Sequence, residues 1–254
     1  ALHYGTGWFG GLRGYWNSDR QQLYVFRLQD HYRRFVNSGK ILLAKLDRSA
    51  EELAEITLEL LRREGYRQDC YIRPLGYKAD EGIGVRLHGL RDEVAIYSMP
   101  FGRYLQAEEG AKVGFSSWRR VDDNMIPARG KLTGSYVNSA LIKSEAVLNG
   151  YDEALVLTQE GHISEGSAEN FFLVRDGVLI TPPITSNVLE GITRRSVMQL
   201  AQQELGLTVV ERDIDRSEVY IADEAFFCGT GVQIAAIASV EHRPIGDGKM
   251  GPVT

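Results

Sequence analysis

Apolar residues recur along this chain with two periods, and the changes between them mark out short elements. Leu23 and Val25 alternate with polar neighbours, the mark of a short strand covered on one face. Asp30 can cap a helix running to about Ala44. Ser49 and Glu52 have capping-box spacing and open a second helix through Leu60 and Leu61, which Gly65 stops. Cys70 to Leu75 and Val94 to Ser98 are rich in β-branched and aromatic residues and predict strands. The pattern then breaks. From Phe101 to Gly110 the chain turns from apolar to polar and charged, as a linker does. A strand near Val113 to Trp118 opens the second half. After Gly134, the residues Val137, Ala140, Leu141 and Ala146 stand at roughly helical spacing, and Gly150 ends that helix. Arg175-Asp176-Gly177 is a hairpin turn between two strands. Gly191 to Leu205 predicts a further helix, with Gly206 as its stop.

Strands mixed with helices in both halves predict an α/β (α+β) fold of two domains. The expected division is a small α/β domain over 1–100, an interdomain linker over 101–112 and a larger domain over 113–254. A ligand site is expected in the cleft between two such domains. The 254 residues are 43% hydrophobic and 25% charged, the profile of an ordinary globular protein. A net charge of −5 argues against nucleic acid as a partner, because phosphate binding leaves a basic footprint. Cys70 and Cys228 are the only cysteines, which is no disulfide framework and suits a reducing cytoplasm. The five histidines have no metal-ligand spacing, so no metal site is expected. No apolar run reaches the length of a membrane span.

One motif is a decoy. Gly5-Thr6-Gly7-Trp8-Phe9-Gly10 matches G-x-G-x-x-G and would suggest a nicotinamide-dependent oxidoreductase. That fingerprint needs a strand before it and a helix starting inside it. Only four residues precede the match, and Gly11-Leu12-Arg13-Gly14 is poor helix material.

The richest chemistry lies between Ile126 and Asn170. Ile126-Pro127-Ala128-Arg129-Gly130-Lys131 offers an amine among turn residues, Tyr136 a phenol, and Ile163-Ser164-Glu165-Gly166-Ser167-Ala168-Glu169-Asn170 a carboxylate in a polar loop. A carbonyl cofactor with a pyridine ring needs those three groups: an amine for a Schiff base, a donor to the ring oxygen and an anion for the ring nitrogen. Further motifs stand in order around them. These are Ala1-Leu2-His3-Tyr4-Gly5-Thr6-Gly7, Tyr71-Ile72-Arg73-Pro74-Leu75, Pro100-Phe101-Gly102-Arg103-Tyr104-Leu105, Thr181-Pro182-Pro183 through Leu189-Glu190-Gly191-Ile192-Thr193-Arg194, and Cys228-Gly229-Thr230-Gly231. Together they resemble the class IV, fold-type IV pyridoxal-phosphate aminotransferases, and specifically the branched-chain amino acid aminotransferases.

That resemblance implies a two-domain enzyme with its active site at the domain interface, and pyridoxal 5'-phosphate as cofactor. It implies a homodimer or higher homo-oligomer with small amino acid and 2-oxo acid substrates. The reaction would move amino groups between leucine, isoleucine or valine and 2-oxoglutarate. Lys131 would form the Schiff base and shuttle a proton, Glu165 would face the ring nitrogen, and Tyr136 would bond the ring oxygen. Glu169 is chemically equivalent to Glu165 and is expected one layer behind it. Arg34 would reach the phosphate, with Arg33 the alternative. Gly191, Ile192 and Thr193 would hold the phosphate at a helix start, Thr230 would add a hydroxyl, and Leu189 would sit beneath the ring. Phe9, Phe101, Tyr104 and Tyr136 would line the substrate pocket, and Tyr4 and Val85 would come from the partner subunit. Arg73 would pair with the distal carboxylate of glutamate, and Tyr71, Gly229 and Gly231 would hold the α-carboxylate. The chain departs from the family at Gly10, where Glu is usual, and at Phe101, where many members have Trp. Gly7 and Trp8 also differ from the commonest residues of their motif. These departures leave (R)-amine or D-amino acid transamination and aminodeoxychorismate lyase chemistry open, while Tyr71-Ile72-Arg73-Pro74 favours the branched-chain group.

Overall fold

The computed structural model describes residues 1–102 and 110–254. The chain packs into two compact units, Ala1–Gly102 with Gly130–Ser135, and Arg103–Arg129 with Tyr136–Thr254. Tyr104 lies outside the described residues.

The first unit is built on an antiparallel sheet of β1 (Gly7–Phe9), β2 (Leu12–Asn17), β3 (Gln22–Val25), β4 (Cys70–Lys78) and β5 (Asp92–Pro100). Its centre is β4. On one side β4 pairs with β5 along its whole length. On the other, its first half pairs with β2 and its second half with β1. The break falls at Gly10 and Gly11. A Cβ on Gly10 would lie 2.7 Å from Cγ of Pro74, and one on Gly11 would lie 2.4 Å from the Tyr71 hydroxyl. The glycines therefore let the strand press against its neighbour. The G-x-G-x-x-G segment is thus strand and bend, with no helix, and the dinucleotide reading falls.

Two helices complete this unit: α1 (Leu28–Ile41) and α2 (Ala50–Glu64). The capping box at Ser49 and Glu52 is formed in both directions, and Gly65 ends α2 in the left-handed conformation. The start of α1 differs from expectation. Arg27 is the N-cap, and Asp30 lies inside the first turn, accepting from Arg27 Nε at 2.6 Å. An acid there still complements the helix dipole, so sequence alone mistakes it for the cap. The largest core residue is Trp8, fully buried against Phe35 with ring centroids 5.7 Å apart.

The second unit is a mixed sheet in the order β11-β10-β9-β12-β13-β6-β7-β8. These strands are β6 (Ala111–Arg119), β7 (Glu153–Leu157), β8 (Ile163–Gly166), β9 (Asn170–Arg175), β10 (Val178–Thr181), β11 (Thr208–Glu211), β12 (Glu224–Gly229) and β13 (Gln233–Val240). Its helices include α3 (Tyr136–Leu148) and α4 (Ile192–Gln203). Phe171, Leu173, Phe227, Ile163 and Leu155 are among the residues of its main core. The hairpin joining β9 and β10 turns at Asp176 and Gly177, both with positive φ, which suits the twist of its strands. The apolar spacing in α3 misleads: Val137 is 67% exposed and Leu141 40%, while Ile142 and Ala146 are buried. No helix of the described residues is long and apolar enough to cross a membrane. Both cysteines are buried free thiols.

Candidate active site

In the first unit, Lys131 is presented by backbone pairing. The strap Gly130–Ser135 runs beside β1. The Phe9 N–H donates to Lys131 O at 2.9 Å, Leu132 bridges Trp8, and the Thr133 N–H donates to Gly7 O at 2.9 Å. These bonds explain why the strap packs with the first unit although its sequence neighbours on both sides belong to the second. A further contact fixes the lysine itself. Its backbone N–H donates to Ser38 Oγ at 3.2 Å, and that hydroxyl donates to Arg34 O at 3.0 Å. Ser38 is buried, one turn beyond Arg34 on α1.

The Lys131 side chain runs into a chain of aromatic rings and cations. Its Nζ lies 5.0 Å from the centre of the Phe9 ring, and Arg73 Cζ lies 4.4 Å from the same ring. Arg73 donates through Nη2 and Nε to the Tyr71 hydroxyl at 2.8 and 3.2 Å. Tyr71 packs on Phe101 with centroids 5.2 Å apart. Arg13 lies 5.2 Å over the Phe101 ring and donates to Gly102 O at 2.6 Å. The structure thus brings Phe9, Tyr71, Arg73, Phe101 and Lys131 together. Alternation along β4 puts Tyr71 and Arg73 on one half-buried face, with Cys70 and Ile72 buried on the other. Arg34 is half-buried, whereas the Arg33 side chain is 63% exposed and pairs with Asp30, so Arg34 is the inward residue of the two. Tyr4 and Val85 are 40% and 76% exposed.

In the second unit, Glu165 is held through both carboxylate oxygens. It stands on β8, not in a loop, and is buried. Oε1 meets Arg120 Nη2 at 3.1 Å. Oε2 accepts from Asn170 Nδ2 at 2.9 Å and from the Leu189 N–H at 3.3 Å. Asn170 also donates to Leu189 O at 2.9 Å, tying β9 to the segment before α4. Gly191 is the N-cap of α4 and makes no side-chain cap bond. A Cβ there would lie 2.0 Å from Asn170 Oδ1, so only glycine permits this approach. Glu169 is buried as well. Burial, then repulsion from Glu153, with Glu165 adding to it, pushes its carboxyl up to about 7. The two neighbouring acids therefore differ: among the described residues Glu165 has a guanidinium partner and Glu169 does not.

Tyr136 begins α3 and is half-buried. Ile192 is buried and Thr193 half-buried in the first turn of α4, and Leu189 is half-buried. Thr230 and Gly231 occupy the turn between β12 and β13, enclosed by the paired Gly229 and Gln233. A Cβ on Gly229 would meet Val232 at an ordinary 3.6 Å, so the protein's own packing does not demand glycine there. Arg120, Ser38 and Arg13 carry no signal in the sequence that marks them for the site. Arg119-Arg120 reads as a solvated charge pair, and only the fold shows that Arg120 is buried.

The chain matches the family model described as Amino-transferase class IV over residues 16–240. It is 46% identical, over all of its length and 82% of the relative's, to a probable branched-chain-amino-acid aminotransferase of Aquifex aeolicus. Among solved structures it is similar to the branched-chain aminotransferase of Thermoproteus uzoniensis with norvaline. That match has a TM-score of 0.94 at 45% identity and covers 99% of this chain and 82% of the other. It also resembles the branched-chain amino acid aminotransferase of Thermobaculum terrenum in its PLP-bound holo form, with a TM-score of 0.94 at 42% identity, covering 98% of this chain and 81% of the other. With the family model spanning most of the chain and near-half identity along all of it, this protein belongs to the class IV aminotransferases, in the branched-chain-amino-acid aminotransferase group.

Proposed function

We propose that this aminotransferase uses pyridoxal 5'-phosphate to exchange amino groups between branched-chain L-amino acids and 2-oxoglutarate. Leucine, isoleucine and valine would yield their branched 2-oxo acids, and 2-oxoglutarate would yield glutamate. The observation that carries this reading is the fixed Glu165 carboxylate, with Arg120, Asn170 and Leu189 on its oxygens. The residues fit the cofactor. Its phosphate dianion suits the first turn of α4, where Gly191 leaves no room for a Cβ and the cap carries no side-chain bond. When bound, the cofactor supplies an electron-accepting ring that stabilises negative charge at the substrate's α-carbon.

The chain's own groups do the rest. Lys131 would hold the cofactor through its Nζ, and the same amine would take the proton from the substrate's α-carbon. Glu165 would keep the ring nitrogen protonated, and Tyr136 would donate to the ring oxygen. Arg34, Gly191, Ile192, Thr193 and Thr230 would hold the phosphate, and Leu189 would support the ring. Tyr71 and the Gly229-Thr230-Gly231 turn hold the α-carboxylate. Phe9 and Phe101 would form the apolar wall for an aliphatic side chain. Arg73, already oriented by Tyr71 and Phe9, meets the second carboxylate of glutamate. The exposed surfaces of Tyr4 and Val85 suit residues donated to a partner's site, which supports a homodimer as the working form; the two buried free thiols suit a reducing cytoplasm.

Two measurements test this. The wild type should form a cofactor linkage that borohydride traps on Lys131, and Lys131→Ala should form none. A donor panel of leucine, D-alanine and an (R)-arylamine should show leucine as the fastest donor. Faster turnover of either other donor would move the protein to the (R)-amine or D-amino acid transaminases.

A further inference from the structure

The second unit buries three carboxylates in one neighbourhood and gives them two cations. Glu153 opens β7, is fully buried and pairs with Lys143 of α3 at 2.8 Å. Glu165 has Arg120. Glu169 is 5% exposed, accepts the Ala168 N–H at 2.9 Å and forms no ion pair among the described residues. Its side chain folds back against its own turn. A Cβ on Gly166 would lie 2.9 Å from both Glu169 Oε2 and Phe227 Cε1, so the carboxyl is confined between the β8–β9 turn and β12. A buried anion without a cation is costly. Glu169 is therefore the member of the cluster that takes a proton. The groups facing it are Glu153 on β7, Glu165 on β8, Lys143 on α3 and the Cys228 thiol on β12, whose own ionisation burial pushes far out of range, while Arg120 beyond β6 reaches Glu165 and the Ser167 carbonyl of the same turn.

This has a consequence for Glu165. Arg120 offsets much of its charge, so a ring nitrogen at Glu165 would meet a nearly neutral ion pair. A second negative charge close by restores the field that favours a protonated nitrogen. We propose that Glu169 is a charge reserve for Glu165: it carries a proton in acid, releases it to solvent as the pH rises, and then helps a ring nitrogen bound at Glu165 keep its own proton. Glu169 touches neither ring nor substrate in this scheme and acts through Glu165. The proposal rests on the reading that Glu165 faces the ring nitrogen.

The test uses the holoenzyme loaded with cofactor labelled with nitrogen-15 in the ring, as wild type, Glu169→Gln, Glu169→Asp and Glu165→Gln. The nitrogen resonance is followed against pH. In Glu169→Gln the nitrogen should lose its proton about one pH unit earlier than in wild type. The alkaline limb of the kcat profile should move with it, while kcat on the acid side stays unchanged. Glu169→Asp, which keeps the charge, should recover most of the shift. A merely structural role would lower kcat at every pH and leave the nitrogen titration in place. An unshifted titration in Glu169→Gln, with a large shift in Glu165→Gln, overturns this proposal and spares the reading of Glu165. A nitrogen that ignores both substitutions overturns both. Should Glu169→Gln not fold, infrared titration of the wild type decides: a protonated buried carboxyl must be present in mild acid and vanish through neutrality, and its absence in acid overturns the proposal.

Discussion

Lys131 and Glu165 are anchored in opposite ways. Lys131 is fixed through its backbone, by pairing with β1 and by the Ser38 hydroxyl, while its side chain lies along the Phe9 ring. Glu165 is fixed through its side chain, with a guanidinium on one oxygen and two N–H donors on the other. The contrast follows what each must do. In the proposed role, an amine that would form and break a covalent bond in every cycle needs a rigid root to hold it in register. A carboxylate that stabilises charge needs its oxygens immobile before the charge develops, because reorienting them during the reaction would forfeit the advantage.

The sharpest way to break the comparison is to neutralise the fixed end. Glu165→Gln should keep the cofactor and lose on the order of 100-fold or more in kcat. A near-normal rate there, with an inactive Glu169→Gln, would exchange the roles of the two acids. Arg73→Gln comes next. Losing a charge-assisted bidentate contact costs about 2–3 kcal/mol, or roughly 30- to 150-fold, and should fall on the glutamate half-reaction. Single-turnover rates with leucine and glutamate separately decide it, since equal losses would put Arg73 on the α-carboxylate.

Glu169 gives a stability prediction whose sign can be worked out. Its folded-state value of about 7 lies above the ordinary 4.5. Between those values the native protein holds a proton that the unfolded chain has lost, so this residue's contribution to stability falls as the pH rises through the window. Glu169→Gln should therefore gain stability relative to wild type above neutrality, by on the order of 3 kcal/mol, and show little gain near pH 4. Denaturant midpoints for both proteins at the two ends of the window measure this. An equal difference at both pH values would mean that the carboxyl does not titrate there. The smallest effect belongs to the rooted end. Ser38→Ala leaves the Lys131 N–H without its acceptor and should cost about 1 kcal/mol of stability. Cofactor should still be trapped on Lys131; a variant that folds but traps none would make Ser38 more than a root.

Local chemistry was the most legible part of the sequence. The Ser49 box, the Gly65 stop and the Asp176-Gly177 turn depend on residues a few positions apart, and all three are present. The family motifs carried the candidate site residues. What could not be read depends on distance. Arg120 looks solvated until β6 is seen to bring it to Glu165, far along the chain. Glu165 and Glu169 are interchangeable by type, and only the placement of Arg120 and Asn170 separates them. The apolar face of α3 has a helical period, yet a period cannot say what covers Val137 and Leu141, which this chain leaves exposed.

Trp8 carries a lesson about ancestry. Its indole fills the space opposite its cross-strand partner Gly76, where a Cβ would lie 2.2 Å from the ring, and a Cβ on Gly39 would lie 3.0 Å away. Position 8 and position 76 therefore divide one volume between them. A larger residue at 76 collides while the indole remains, and a smaller residue at 8 leaves a void while the glycine remains. Either change is harmful alone and tolerable once the other has happened. A lineage leaving this arrangement must cross a valley of reduced fitness, and the depth of that valley, more than any demand of catalysis, would keep the tryptophan where it is.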